Sequence, residues 1–524
     1  MRTTTLLPWL CLAVACTKVE PKAPDVPEPA DLLLVVSAAS PKAVLENMAA
    51  YANAVKPGAG AGLDEAAFLK VLALTAGAPE LQGLDLGKPL HFLLLDPKAH
   101  PKPVVLVAGV ADEAKLKAIT GASVRIHNGV ALIGDEPAVA VVADHAFWLA
   151  GRPAPSSPTL SLAPGKLVAR YRQEIADFRN QMGQIMAQQA PGMAKVLEVE
   201  IDLFLKLADQ TDRLTVLVDA TAADAWFELG LAPKAGTMFA GFVAAQKPGI
   251  DPSLLELLPA VEKPTMVMVG RMDLGPARAP MLEIAFSMFE QAAGRKLEPA
   301  ERERWNAMLD NLDGRLAAVS WATESGMFQM HELLGASDGA RAAAFARELF
   351  PASVSKPFEV MGMKMSAEVK PEAATHDGVI ISEYRVAFDF SALPEMQREM
   401  MTKMYGPDGL KMQAAGFDKL FAVGLGPDAM ASLPKLIDGA RRGTKTSPSA
   451  KVTAAMNAAA GRKASFFALM DMAQTMAPLT GKVAPASASG LTMEGGVTDG
   501  AFRMRIAMPA AHIAEVGKAM GGGL

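Results

Sequence analysis

The pattern of apolar and polar positions divides the chain into short strand-like runs, most of them in adjacent pairs, with helical stretches between. The first half opens on an apolar run at Leu32–Ser37. A helix follows from Pro41, where the missing N–H costs nothing in a first turn. Leu90–Leu95 and Val104–Val110 read as paired strands, with a helix beginning near Asp112. Val124–Ile126 and Val130–Ile133 flank Asn128-Gly129, a dipeptide that suits the two positive φ angles of a tight hairpin. Gly165-Lys166 precedes a helix rich in Gln and Met, and Arg213–Val218 with Ala225–Leu231 form a further hairpin.

A similar order returns later. Thr265–Val269 matches the opening strand, Leu316–Trp321 and Met327–Leu334 the paired strands, and Ala340–Phe350 the helix after them. Lys364–Val369 with Val379–Phe388 matches the Asn-Gly hairpin, and Gly461-Arg462 stands where Gly165-Lys166 stood. Leu491–Gly496 with Phe502–Met508 matches the closing hairpin. In addition, Val130–Asp135 and Phe421–Gly426 each run as a strand that ends at Gly and leads into a helix. A shared order of elements points to internal repetition. The strands come in adjacent pairs and not singly between helices, which favours antiparallel pairing. The expected fold class is therefore α+β, in two similar halves at 31–258 and 259–524, each mainly antiparallel sheet with helices packed on one face.

The N-terminus changes the picture of where such a fold resides. Residues 1–15 have a positive start at Arg2 and an apolar run at Leu6–Ala15, too short to span a bilayer and fitting a secretory signal peptide. Ala13 and Ala15 precede Cys16, an arrangement that resembles the lipobox of bacterial lipoproteins, although Ala13 stands where that pattern usually has Leu. Acyl chains on Cys16 would bury about 0.8 kcal/mol per methylene, so two or three chains anchor firmly. Residues 16–30, with Pro21, Pro24, Pro27 and Pro29, read as an extended tether. Thr17 follows the Cys; in the enteric lipoproteins that this resembles, Asp at that place retains the protein at the inner membrane, so its absence favours the outer one. The expectation is a lipoprotein of the cell envelope, facing the periplasm, with a membrane anchor at Cys16.

Composition then restricts the chemistry. Cys11 and Cys16 are the two cysteines, and once the signal is removed and Cys16 is acylated no thiol remains. With 51% hydrophobic and 20% charged residues the chain is globular in character, and a net charge of −5 gives no electrostatic footprint for nucleic acid. Gly335–Gly339 spells a nucleophile elbow around Ser337, for which His376 or His512 would have to serve as base. Ser337 and Asp338 are equally ordinary helix N-cap residues, and the matched place in the first half, Gly109–Asp112, lacks a Ser. Ser353–Lys356 has Ser-x-x-Lys spacing but runs directly into Pro357, which disfavours the required helix. The seven histidines show no metal-ligand spacing. No catalytic residue, cofactor or metal site is expected from these motifs, and the reading is non-enzymatic.

Methionine is the outlier, at 31 residues. Met396, Met400 and Met404 recur at helical spacing, with Met401 beside them, in a segment near 389–416 that the first half lacks. Such residues serve as adaptable core filler, as a groove for an apolar ligand or partner, or as thioether ligands for Cu(I). The binding residues expected for an apolar ligand or another envelope protein are Met396, Met400, Met401 and Met404; a structural envelope component without a small ligand is the alternative.

The whole chain resembles a group of uncharacterised bacterial envelope lipoproteins built from repeated α+β units, a domain-of-unknown-function family. The signal and lipobox, the strand–Pro–helix opening and the segment Gly83–Leu90 carry the resemblance. It implies an envelope location and the repeated fold, and brings no active site with it.

Overall fold

The computed structural model describes residues 26–524 apart from 190, 276–277, 280–281, 284, 287–289, 291–295, 324–326, 355–357, 361–362, 392–394, 407–408, 480–488 and 520–524. Cys16, the signal segment and most of the tether lie outside the described residues. The chain is mixed α+β and its strand pairings are antiparallel. The described residues divide into two compact units, one of residues 26–32 and 69–154, the other of residues 33–68 and 155 onward.

The smaller unit is a four-stranded sheet in the order β2 (Leu84–Leu95), β3 (Val104–Val110), β5 (Val130–Gly134), β4 (Ser123–His127). The β4–β5 turn has Asn128 at φ 50° and Gly129 at φ 74°, the two positive angles that the dipeptide foretells. Asp112 caps the short helix Glu113–Lys117 by accepting from the Lys115 N–H at 3.2 Å. A helix at Glu136–Ala150 packs on this sheet and buries Ala138, Val139, Val142 and Ala146.

The larger unit holds a large antiparallel sheet. Its order is β1 (Leu32–Ala38), β6 (Thr159–Leu162), β7 (Thr211–Ala220), β8 (Asp224–Pro233), β19 (Ala501–Pro509), β18 (Leu491–Thr498) and β17 (Ala464–Met470). It continues through β9 (Met266–Arg271), β10 (Leu312–Ala322), β11 (Phe328–Ala336), β16 (Leu420–Leu425), β15 (Leu410–Phe417), β14 (Val379–Asp389), β13 (Met363–His376) and β12 (Phe358–Val360). The helices used below are α1 (Pro299–Asn311), α2 (Gly339–Val354), α3 (Glu395–Tyr405), α4 (Ala429–Arg441), α5 (Ala450–Gly461), α6 (Met472–Leu479) and α7 (Ala510–Ala519).

One face of this sheet is a closed core. Val267 and Val269, Ala317 and Val319, Leu333, Ala415, Phe467 and Leu469 pack under Leu433, Leu436 and Ile437 of α4 and Val452, Met456 and Ala459 of α5. The opposite face carries α2 over β15. Gly416, next to core residue Ala415 and therefore pointing the other way, lies against Gly339 and Ala343. Helices thus pack on both faces of the sheet, where the sequence pattern leads one to expect a single covered face. The reason is the small-residue contact: Gly339 on Gly416 lets a helix backbone come down onto a strand with no apolar stripe to announce it. A methyl group on Gly416 would overlap the Gly339 carbonyl oxygen. Gly416→Ala is expected to lower stability by about 2 kcal/mol, within the range for overpacking, read as a lower urea midpoint at unchanged slope.

One sequence match fails on inspection. Gly165-Lys166 lies in the first turn of the helix Pro164–Arg170, whereas Gly461-Arg462 closes α5 and leads into strand β17.

Candidate binding face

The second face of the large sheet, away from α4 and α5, is built from methionine. Strand β9 shows how: Met266 and Met268 are part-exposed, while Val267 and Val269 between them are buried in the core. Alternation along β11 does the same, with Met330, Glu332 and Leu334 half-buried and Gln329, His331 and Leu333 buried. Register then aligns the methionines across strands. Met266 is directly opposite Met470 on β17 and, on its other side, Ser320 on β10, which in turn faces Met330. Met268 faces Ala468, which faces Met493 on β18, which faces Ile506 on β19. Ile506 faces Phe227 on β8, and Met504 faces Leu229. All of these methionines are part-exposed, as are Phe502, Ile506 and Met508 on β19.

The face runs into a cleft of about 450 Å³ at one end of β9–β11. Its apolar walls are Met272, Leu274, Leu309 of α1, Leu312, Leu316 and Leu334, the last two continuing the same face. That volume falls within the range of small-ligand sites. Its rim is charged but paired. Arg278 bonds to Asp310 and to the Asn306 carbonyl at 2.8 Å. Arg315 donates to Asp313 at 2.9 and 2.7 Å. Burial opposes ionisation of Asp313, but these bonds outweigh it and hold its carboxyl below the ordinary range.

The helix expected from the methionine spacing exists as α3, and Met401 on it is part-exposed. The side chains of Met396, Met400 and Met404 lie outside the described residues. The end of α3 is docked by Tyr405, whose ring lies 5.2 Å from that of Phe388 on β14. Phe388 alternates with Tyr384 and Val386, which face Met412 and Leu410 across β15. The helix end therefore meets the sheet on its methionine side. Met412, in the same methionine-rich segment near 389–416, is a strand residue of β15.

The other candidate residues sit in local structural bonds. The Ser337 hydroxyl donates to Asn311, and Asp338 caps α2 by accepting from the Arg341 N–H at 3.0 Å. His376 is bonded to Asp438 at 2.8 Å, and His512 accepts from the Met472 N–H at 3.2 Å. Among the described residues neither histidine is a hydrogen-bond partner of Ser337. Ser353 and Lys356 have no described side chains.

Two polar clusters escape sequence reasoning altogether. On the core face, His331 Nε2 meets the Ser432 hydroxyl at 2.8 Å, and burial pushes the His331 imidazole down to about 4. At the start of α6, Lys451 Nζ donates to Asp471 at 2.9 Å and to the Ser489 carbonyl at 3.2 Å. Asp471 also accepts from the Gln474 N–H at 3.0 Å. Both pairs join residues from separate elements, so no window of sequence contains them. Among the described residues no helix is long and apolar enough to cross a membrane, and no trio of His, Cys, Asp or Glu side chains gathers as a metal site.

No protein-family model matches the chain, no curated protein matches it, and no solved structure matches it.

Proposed function

We propose that this chain is a lipid-anchored protein of the cell envelope that holds an apolar ligand on its methionine face, without catalysing a reaction. The observation that carries the reading is that face: part-exposed methionine and aromatic side chains on one side of a sheet whose other side, across β9, β10, β11 and β17, is a closed core. Methionine is flexible and polarizable, so a face built from it repacks around varied apolar shapes. The cleft beside it has room for a single chain or a ring system of similar bulk. Anchoring through Cys16 and the tether of residues 16–30, at the outer in preference to the inner membrane, would place the face near a supply of lipid.

A duplicated plan supports the kinship with repeated envelope lipoproteins. The orders β2–β3–β5–β4 and β10–β11–β16–β15 are alike, as are β1–β6–β7–β8 and β9–β17–β18–β19. In this alignment Val105 facing Gly134 corresponds to His331 facing Gly424. The counterpart of the Asn-Gly hairpin is then β15–β16, and the β13–β14 hairpin, which sequence similarity puts there, stands with α3 as an addition.

Native mass spectrometry of the protein purified from an envelope extract tests the reading. A co-purifying apolar mass is expected, and Met268→Lys should weaken its retention by about tenfold or more, since a buried charge opposes an apolar guest. A bare protein that takes up no offered lipid would favour the alternative, an assembly component of the envelope without a small ligand.

A further inference from the structure

We propose that the centre of the methionine face is a binding site for Cu(I), with Met266 and Met470 as its first ligands and a third thioether from Met268, Met330 or Met493. The inference uses the same face as the proposed function but asks a different property of it: the sulfur atoms and not the apolar area.

Register places the donors. Met266 and Met470 are a directly opposed pair on neighbouring strands β9 and β17, where Cβ atoms stand about 5 Å apart. Met268 is two residues along from Met266 on the same face, and Met493 is joined to it across Ala468, a residue too small to separate them. Met330 lies on the far side of Ser320, whose hydroxyl is turned to that of Thr265 at 2.8 Å. Each thioether ends a flexible three-bond arm, so sulfurs from adjacent strands can turn to one point. All five residues are part-exposed, which leaves a path for an ion.

The donor set selects the ion. Thioethers are soft ligands that suit Cu(I) and offer little to Mg²⁺ or Ca²⁺, which require oxygen. The carboxylate nearest in the pattern is Glu332, two residues from Met330 on the same face. It is half-buried and has no hydrogen-bond or ion-pair partner among the described residues. His376 is bonded to Asp438 and is not one of the face's residues.

The test is an anaerobic titration of the full-length protein against a chromophoric Cu(I) chelator. The protein is expected to withdraw one Cu(I) from the chelator, and the double variant Met266→Leu, Met470→Leu to compete at least about tenfold less well. Leucine keeps the volume and the apolar character, so the urea midpoint should stay as in the parent chain. Copper left wholly on the chelator, or equal competition by parent and double variant, would overturn the copper site. Either result leaves the apolar-ligand reading standing if lipid is still retained; loss of lipid uptake in the parent chain itself would count against that reading separately.

Discussion

Replacing Lys451 with Met should destabilise the larger unit by about 3–5 kcal/mol, the cost of leaving a buried charge without its partner. Asp471 has a side chain only 2% exposed, and the ammonium of Lys451 reaches it from α5 at 2.9 Å. The carboxylate has further work, accepting the Gln474 N–H at the start of α6, while the Asp471 N–H donates to the Thr265 carbonyl at 2.8 Å. The pair therefore ties α5, β17, α6 and the start of β9 together, and its loss reaches all four. Asp471→Asn keeps the cap while removing the charge, so the double variant Lys451→Met, Asp471→Asn should recover a large part of the deficit. Urea unfolding of the three variants measures this. Equal midpoints for Lys451→Met and the parent chain would show that water reaches the carboxylate and that the pair is not buried in solution.

Acidification gives the second large effect. His91 in the smaller unit and His331 in the larger are both pushed down to about 4, in each case by burial. In the unfolded chain a histidine titrates near 6.5. Below that pH the unfolded state binds a proton that the folded state refuses, so stability falls as pH drops from about 6.5 to 4. At about 1.4 kcal/mol per pH unit, each histidine accounts for about 3 kcal/mol over that window. Glu332 acts in the opposite sense: its raised carboxyl takes up a proton in the folded state first and so adds stability as pH falls. Asp313, held below the ordinary carboxylate range, contributes stability that is lost only under more acidic conditions. His331→Gln, which can still bond to Ser432, should flatten the fall for the larger unit and leave that of the smaller unit in place. An unchanged slope in this variant would mean that His331 is already protonated in the folded state.

Local chemistry made much of the fold legible. Asn128-Gly129 foretells its hairpin because few residues accept two consecutive positive φ angles, and Pro41 marks its helix because Pro fits a first turn. The alternation in β9 and β11 is plain because one face of each is core. What stayed hidden depends on partners distant in the chain. The part of β13 beyond the expected Lys364–Val369 carries Pro371 and Glu372, and β15 has Ala414, Ala415 and Gly416 where a typical strand has larger side chains. α2 docks through glycine, which no hydrophobic pattern reports. For the site, a helical spacing drew attention to Met396, Met400 and Met404, while the larger methionine face is assembled from β9, β11, β17, β18 and β19. Its local signs are Met266-Val267-Met268 and the alternating Phe502, Met504, Ile506 and Met508, each at strand spacing.

The place of β19 in the sheet has a consequence for how the chain is made. It pairs with β8, and the ion pair between Arg503 and Glu228 at 2.7 Å joins residues 275 positions apart. Until the last few dozen residues emerge, β1, β6, β7 and β8 have nothing along the β8 edge, and β9 and β17 likewise await β18 and β19. Unfilled strand edges of this kind invite pairing with other chains. A nascent chain released early would present a sticky border, so productive folding requires either a chaperone that shields β8 through synthesis or a delay of collapse until the C-terminal hairpin arrives; a chain cut before Leu491 should aggregate even though most of its core residues are present.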